Sequence, residues 1–169
     1  MRITLRRRRR SAWKDVAAGA LGGLAGTAAM SGFQALWKTK SQNGRQENNP
    51  SDEPATVKAA RAVLQTVIRH ELPESKKALA SNAVHYAVGA LSGAAYGGIA
   101  HKLRPAGAGR GALFGVGLWA LADNILVPAL KLSKPLTEYP PSTHMYGLAS
   151  HLVYGLAADR TAKLVRGWL

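Results

Sequence analysis

The feature that most constrains this chain is the spacing of its charges. Val16 to Trp37 is 22 residues without a formal charge, and Leu79 to Ala100 is another 22 when His85 is neutral. Gly111 to Leu130 is 20 residues with one charge, Asp123, and Ser142 to Ala158 is 17 residues whose titratable groups are His144, Tyr146, His151 and Tyr154. A helix that crosses a bilayer needs about 20 mostly apolar residues, within a range of about 17–25. A helix on the surface of a water-soluble domain instead shows a polar face every three or four residues. The pattern predicts an all-α chain with four membrane helices, about 15–37, 79–101, 109–131 and 142–164. The last extends into Asp159 and Arg160, whose side chains are expected to snorkel. The competing reading is a soluble, Ala/Gly-rich helical bundle.

Composition favours the membrane reading. Gly and Ala supply 48 of 169 residues and Phe only two. So little bulk makes a poor aqueous core, whereas helices packing in lipid use small residues at their contacts. At 17.9 kDa the chain has the size of one domain. Residues 1–14 form a basic arm, and 15–169 a single membrane domain. The absence of Cys excludes disulfides, thiol nucleophiles and Cys-based metal sites.

The formal charge is +14. The run Arg6, Arg7, Arg8, Arg9 and Arg10 resembles the start of a secretory signal, but the apolar stretch after it is too long and lacks a small-residue cleavage site. A nucleic-acid arm would carry interleaved aromatics beside a reader fold, and neither is present. The run therefore reads as a topology anchor, with anionic lipid as a possible partner. With the N-terminus inside, thirteen Lys and Arg fall on the inner segments and ten on the outer ones. The short segments next to the membrane dominate orientation. Both termini are expected in the cytoplasm, across a bacterial inner membrane.

The first outer loop, 38–78, has its own organisation. Lys38 to Pro50 is polar and reads as flexible. Ser51-Asp-Glu-Pro54 is a helix start, with a capping residue, two acids and a first-turn Pro. Val57, Ala60, Val63, Leu64, Val67, Ile68 and Leu72 then follow helical spacing. The expected helix, about 52–72, is too charged to span and suits a membrane surface. A packing lid with no separate role is the alternative.

Gly19-Ala-Leu-Gly-Gly23, Gly89-Ala-Leu-Ser-Gly93 and Gly111-Ala-Leu-Phe-Gly115 share a G-A-L-x-G pattern. Glycines four apart clear one stripe of a helix, so that another backbone can approach it. Gly89, Gly93 and Gly97 form such a packing stripe with His85, and Gly111 and Gly115 form a second.

Ionisable residues within apolar helices are the sharper functional signal, because burying them in lipid is costly. At about 1.5 Å per residue, His85, Asp123, His144 and His151 fall in the outer half of the bilayer or at its centre, and Tyr154 adds a donor. Pro128 leaves the carbonyl of Asn124 without its usual helical donor. Three readings compete for this polar cluster. It is a satisfied structural network, a proton or ion relay, or a metal or haem site using His85, His144 and His151. No HExxH motif or tight ligand spacing supports the last, and no metal or other cofactor is expected. Nucleophile elbow, phosphate loop and paired catalytic carboxylates are also missing from the sequence, so no catalytic residue is assigned and the chain is not read as an enzyme.

Ala95-Tyr-Gly97, Gly111-Ala-Leu-Phe-Gly115, Val127-Pro128 before Leu130 and Pro135, and Gly147 to Tyr154 follow in an order that resembles the YagU-like family of small bacterial inner-membrane proteins. The resemblance covers roughly residues 83–160, with Ser150-His151-Leu-Val153 as its last-helix signature. It implies a few membrane helices with a Pro-containing loop before the last. The outer loop and basic arm depart from that pattern. The family has no assigned activity, so the resemblance implies location and architecture but no catalytic residue.

These readings converge on a small multi-pass membrane protein that acts by association with itself or with a larger membrane complex. The alternative is a proton- or ion-conducting, or stress-related, transport component centred on the His/Asp cluster.

Overall fold

Between Ser11 and Lys40 the sequence contains no proline and is dominated by good helix formers, and it winds into a single helix, α1 (Ala12–Lys40). The computed structural model describes residues 11–40, 53–69, 71–100 and 109–169, and regular structure among these is entirely helical. The basic run Arg6–Arg10, the helix-start residues Ser51 and Asp52, and Lys102 and Arg104 lie outside the described residues.

The helix expected between the first two long helices, α2 (Ala55–Val63), continues through a π turn, Leu64–Ile68, and stops at Arg69, whose φ of 54° is left-handed. It is shorter at both ends than the expected 52–72. Pro73 and a short 3-10 turn, Glu74–Lys76, lead into α3 (Lys77–Ile99). The next helix, α4 (Ala112–Leu118), changes to a π-helix at Trp119–Leu126 and closes with a last α turn, Val127–Ala129. The final helix, α5 (Pro141–Trp168), opens on a proline, which is tolerated there because a first-turn N–H has no helical partner anyway.

Neighbouring helices run antiparallel, as side-chain and backbone contacts show. Asp15, Gly19 and Gly23 of α1 face Gly97, Gly93 and Gly89 of α3. On another side of α1, Gly22 faces Ala158 and Ala162 of α5, and Gly26 faces Tyr154. α4 lies on the far side of α5, with Gly111 against Gly155 and Gly115 against the carbonyl of His151. The chain ends meet at one pole: Arg166 bonds to the Asp15 carboxylate, and the Lys14 ammonium donates to the Leu169 carbonyl. At the opposite pole Trp37 and Phe33 gather around Tyr146 at ring separations of 5.9 and 6.5 Å.

α2 docks across the start of α3. Val57 and Ala60 are buried, and Thr56 and Ser81 share a 2.6 Å hydroxyl contact. Glu53 binds both Arg61, at 2.7 Å, and Lys77, at 2.8 Å. The Lys77 ammonium beside it holds the Glu53 carboxyl below the usual carboxylate range.

Two helices among the described residues, Ala12–Thr39 and Gly109–Ala129, are long and apolar enough to cross a membrane, where the charge spacing predicts four. The reason lies in the other two helices. α3 is diluted by Lys77, Ser81, Asn82, His85 and Ser92, and α5 by Ser142, Thr143, His144 and His151 before the charges Asp159, Arg160, Lys163 and Arg166 of its last three turns. The buried set is unusual in kind. It comprises Ala18, Met30, Val57, Ala60, Tyr96, Tyr154, Ala158 and Ala162 with the polar Thr27, Ser150, His151 and Asp159, while Trp13, Leu21, Leu91, Leu113, Leu121 and Ile125 are exposed.

Candidate functional site

The polar groups of the interior are held mainly by one face of α5. His151 lies at its centre. The His151 Nδ1 is 2.9 Å from the carbonyl oxygen of Gly147 and 3.5 Å from Oδ2 of Asp123. Both neighbours are acceptors, so Nδ1 carries the hydrogen and donates it to the Gly147 carbonyl. The Asp123 contact is longer than a good hydrogen bond and is chiefly electrostatic.

Local winding explains why Asp123 faces α5. Eight residues of α-helix would rotate it about 80° away from the face of Gly115. The wider i→i+5 turns of Trp119–Leu126 rotate each residue less, so Gly115, Trp119 and Asp123 stay in line along α5. Within this segment the Asn124 side-chain amide donates to the Trp119 carbonyl at 2.8 Å. Gly147 leaves the space that both side chains use, since a Cβ there would sit 3.1 Å from the Trp119 indole nitrogen and 3.6 Å from the Asp123 carboxylate. The Asp123 side chain nevertheless remains 43% exposed.

The other residues of the expected cluster are distributed around this pair. The Tyr154 hydroxyl donates to the Gly89 carbonyl at 2.7 Å, tying α5 to the glycine stripe of α3. His85 is half-buried on α3. His144 sits one turn into α5, with its ring edge on Tyr139, 6.4 Å between centroids. Asp123 and His151 are thus brought together, while the ring contact of His85 is with its neighbour Tyr86. His144 stands near the aromatic groups at the pole opposite the chain ends.

The stripe residues Gly89, Gly93 and Gly97 lie against α1, and Gly111 and Gly115 against α5. At Gly93 an added Cβ would stand 2.6 Å from the Gly23 Cα and overlap the Gly19 carbonyl oxygen.

A second polar group escaped the sequence reading. Asp159, expected to snorkel, is instead 3% exposed. Its Oδ1 accepts from the Tyr96 hydroxyl at 2.6 Å and its Oδ2 from the Lys163 ammonium at 2.7 Å. Tyr96 is itself stacked on Phe114 at 4.3 Å, and Phe114 meets Tyr154 at 5.9 Å. Two signals were available. Lys163 is four residues after Asp159, the spacing of a helical ion pair, and Tyr96 is seven residues after Gly89, on the same face of α3. Just before His151, the fully buried Ser150 Oγ has no hydrogen-bond partner.

Among the described residues no group of three or more His, Asp or Glu is placed to hold a metal ion. No match was found among curated proteins or solved structures. The family model that does match, Protein of unknown function (DUF1440), spans residues 44–160. It includes the outer-loop helix, which the YagU-like resemblance left out, and begins after α1; the YagU-like assignment itself is not established by it. From Gly44 to Arg160, which takes in α2 to α4, most of α5, the His151–Asp123 pair and the Tyr96–Asp159 contact, the chain belongs to the DUF1440 family of proteins of unknown function.

Proposed function

We propose that this chain is a multi-pass integral membrane protein of a bacterial inner membrane, with α1, α3, α4 and α5 crossing the bilayer and both termini in the cytoplasm. It works by association with itself or with a larger membrane complex, and not as an enzyme. One observation carries this reading: the interior is built from Gly, Ala and hydrogen-bonded polar groups, while Trp13, Leu21, Leu91, Leu113, Leu121, Ile125 and Leu164 face outward. Water would penalise so much exposed apolar surface, whereas lipid accepts it and leaves small-residue packing and internal hydrogen bonds to hold the helices.

Further features support the reading. α3 and α5 pack along α1 at backbone contact, so a bilayer that takes α1 takes them with it. Trp13 and Trp37 are 24 residues apart on α1, about 36 Å, which suits aromatic anchors at the two membrane interfaces. The pole with both chain ends carries Lys14, Arg110, Arg160, Lys163 and Arg166, fitting a cytoplasmic side where the Arg6–Arg10 arm meets anionic lipid. α2 then lies at the opposite interface. Lipid is the partner in this reading; nucleic acid, cofactor and metal play no part.

The experiment is extraction followed by sizing. The protein is expected to stay with membranes through an alkaline carbonate wash, to leave them in detergent, and to run in lipid nanodiscs as an oligomer or complex. Release by carbonate alone would refute the membrane reading, and a monomer that captures no membrane partner would refute action by association.

A second reading, proton or ion conduction, is favoured by the His151–Asp123 contact. It joins an imidazole and a carboxylate inside helices that this reading puts in lipid.

A further inference from the structure

The geometry points to a binding site for one anionic phospholipid where α4 begins against α5, with Arg110 and Arg160 holding its phosphate. The inference rests on the membrane reading above. It is separate from the Arg6–Arg10 arm, because it is built on two packed helices.

The site follows from how α4 is set on α5. Gly111 meets Gly155 and Asp159, Gly115 meets the carbonyl of His151, and Asp123 lies at Gly147. α4 therefore starts opposite the middle of α5 and leaves the last two turns of α5 uncovered by it. Three successive left-handed residues, Gly109, Arg110 and Gly111, turn the chain into α4 at this step. Glycine adopts that conformation freely, whereas Arg110 adopts it at a steric cost, and Arg110 is exposed. A Cβ on Gly111 would lie 2.6 Å from the Cβ of Asp159. Arg110 and Arg160 are the chain neighbours of these two residues, so their Cα atoms are at most about 13 Å apart. That is within the joint reach of two arginine side chains with a phosphate between them.

The charges at this end leave these two arginines over. Lys163 is bound to Asp159 and Arg166 to Asp15, and Lys14 donates to the Leu169 carbonyl. Among the described residues neither Arg110 nor Arg160 has an ion-pair partner. Arg160 is exposed on α5 between Leu156, 44% exposed one turn before it, and Leu164, 62% exposed one turn after. A guanidinium among lipid-facing leucines calls for an anion, and its planar fork matches phosphate oxygens. Leu156, on the side toward the middle of the span, gives the acyl chain an apolar surface. Asp159 does not compete with the phosphate, because it is buried and its two oxygens are taken by Tyr96 and Lys163. A second copy of the chain does not supply the anion: Asp15 and Asp159 are already bonded, and Asp123 is far along α4 from this step. The membrane reading puts this end in the cytoplasmic leaflet, where anionic lipids give a negative surface.

The full chain is purified in a neutral detergent and titrated with dioleoylphosphatidylglycerol, and native mass spectrometry counts the bound lipids. Dioleoylphosphatidylcholine and inorganic phosphate are parallel titrants. The wild type is expected to hold one phosphatidylglycerol per chain in preference to phosphatidylcholine, and inorganic phosphate at the same concentration should not displace it. A basic residue near a membrane surface contributes about 1 kcal/mol toward anionic lipid. Arg110→Gln and Arg160→Gln are therefore each expected to weaken this binding about fivefold, and together about 25-fold. Arg110→Gly, which suits the left-handed backbone, should keep the fold and show the same loss. Replacing Arg6 to Arg10 with Gln should leave this one lipid in place. Binding lost with the arm but unchanged in the Arg110 and Arg160 variants would overturn the site, as would equal binding of phosphatidylcholine. Displacement by inorganic phosphate would assign the arginines to a free anion instead of a lipid. An acidic membrane protein that co-purifies with the wild type and not with the double variant, without a preference for phosphatidylglycerol, would assign them to a protein partner and overturn the lipid site. Protein that resists the carbonate wash yet shows no such preference loses this site alone; release by carbonate removes the membrane reading and the site with it.

Discussion

Asp159 shows how a single residue changes character with its neighbours. On a helical net it stands beside Arg160 and Lys163 near a chain end, where a carboxylate normally turns to solvent. In the fold it is buried, and the Tyr96 hydroxyl and the Lys163 ammonium divide its two oxygens. Hydrogen bonds to a charged group contribute about 1.5–3 kcal/mol, and here one bond joins α3 to α5. In a double-mutant cycle, Tyr96→Phe and Asp159→Ala are each expected to destabilise the protein by about 1–3 kcal/mol. The double variant should lose less than their sum, because the second change removes a partner already orphaned. Denaturation in mixed micelles measures this. Additive losses would mean that the contact contributes nothing.

At the scale of elements, glycine costs a helix about 1 kcal/mol relative to alanine, and α1, α3, α4 and α5 all accept that cost. What they gain is backbone approach. α1 presents Gly19 and Gly23 to α3 and Gly22 and Gly26 to α5, so it holds two separate seams. Gly93→Leu is expected to cost at least about 3 kcal/mol by forcing α1 and α3 apart. Leu91→Ala, at a position 71% exposed, should change stability by less than about 0.5 kcal/mol. Thermal unfolding of the two purified variants gives the comparison, and equal midpoints would remove the stripe from the account. The π-helix of α4 makes a different point. Its wider turns aim Asp123 at α5, and Pro128 just beyond it lacks an N–H to return to the α pattern at Asn124.

For the whole molecule, the antiparallel order of the four long helices returns the C-terminus to the pole where α1 starts. Orientation is then a matter of where the positive charge lies. Under the membrane reading proposed above, thirteen Lys and Arg are counted on the inner segments and ten on the outer ones, and the arm decides the balance. Replacing Arg6, Arg7, Arg8, Arg9 and Arg10 with Gln lowers thirteen to eight, which is expected to weaken or invert the orientation. Reporter fusions at the C-terminus read this directly. Unchanged orientation would assign the arm to lipid or partner binding instead.

The sequence by itself determined the helices. Helix formation follows local propensity and the absence of proline, so uncharged Ala/Leu/Gly runs marked α1, α3, α4 and α5, and the apolar spacing from Val57 to Ile68 marked α2. The glycine spacing also marked which stripes were bare, because helical periodicity is local. Pairing was different. That α1 sits between α3 and α5, that Asp159 turns inward to a tyrosine 63 residues away, and that a π segment turns Asp123 toward His151 were decided by tertiary structure. Each depends on groups far apart in the chain, or on a change of helical winding that no local pattern in Trp119–Leu126 announces. A buried carboxylate and a snorkelling one have the same sequence neighbours; what separates them is the donor that the fold brings within 2.6 Å.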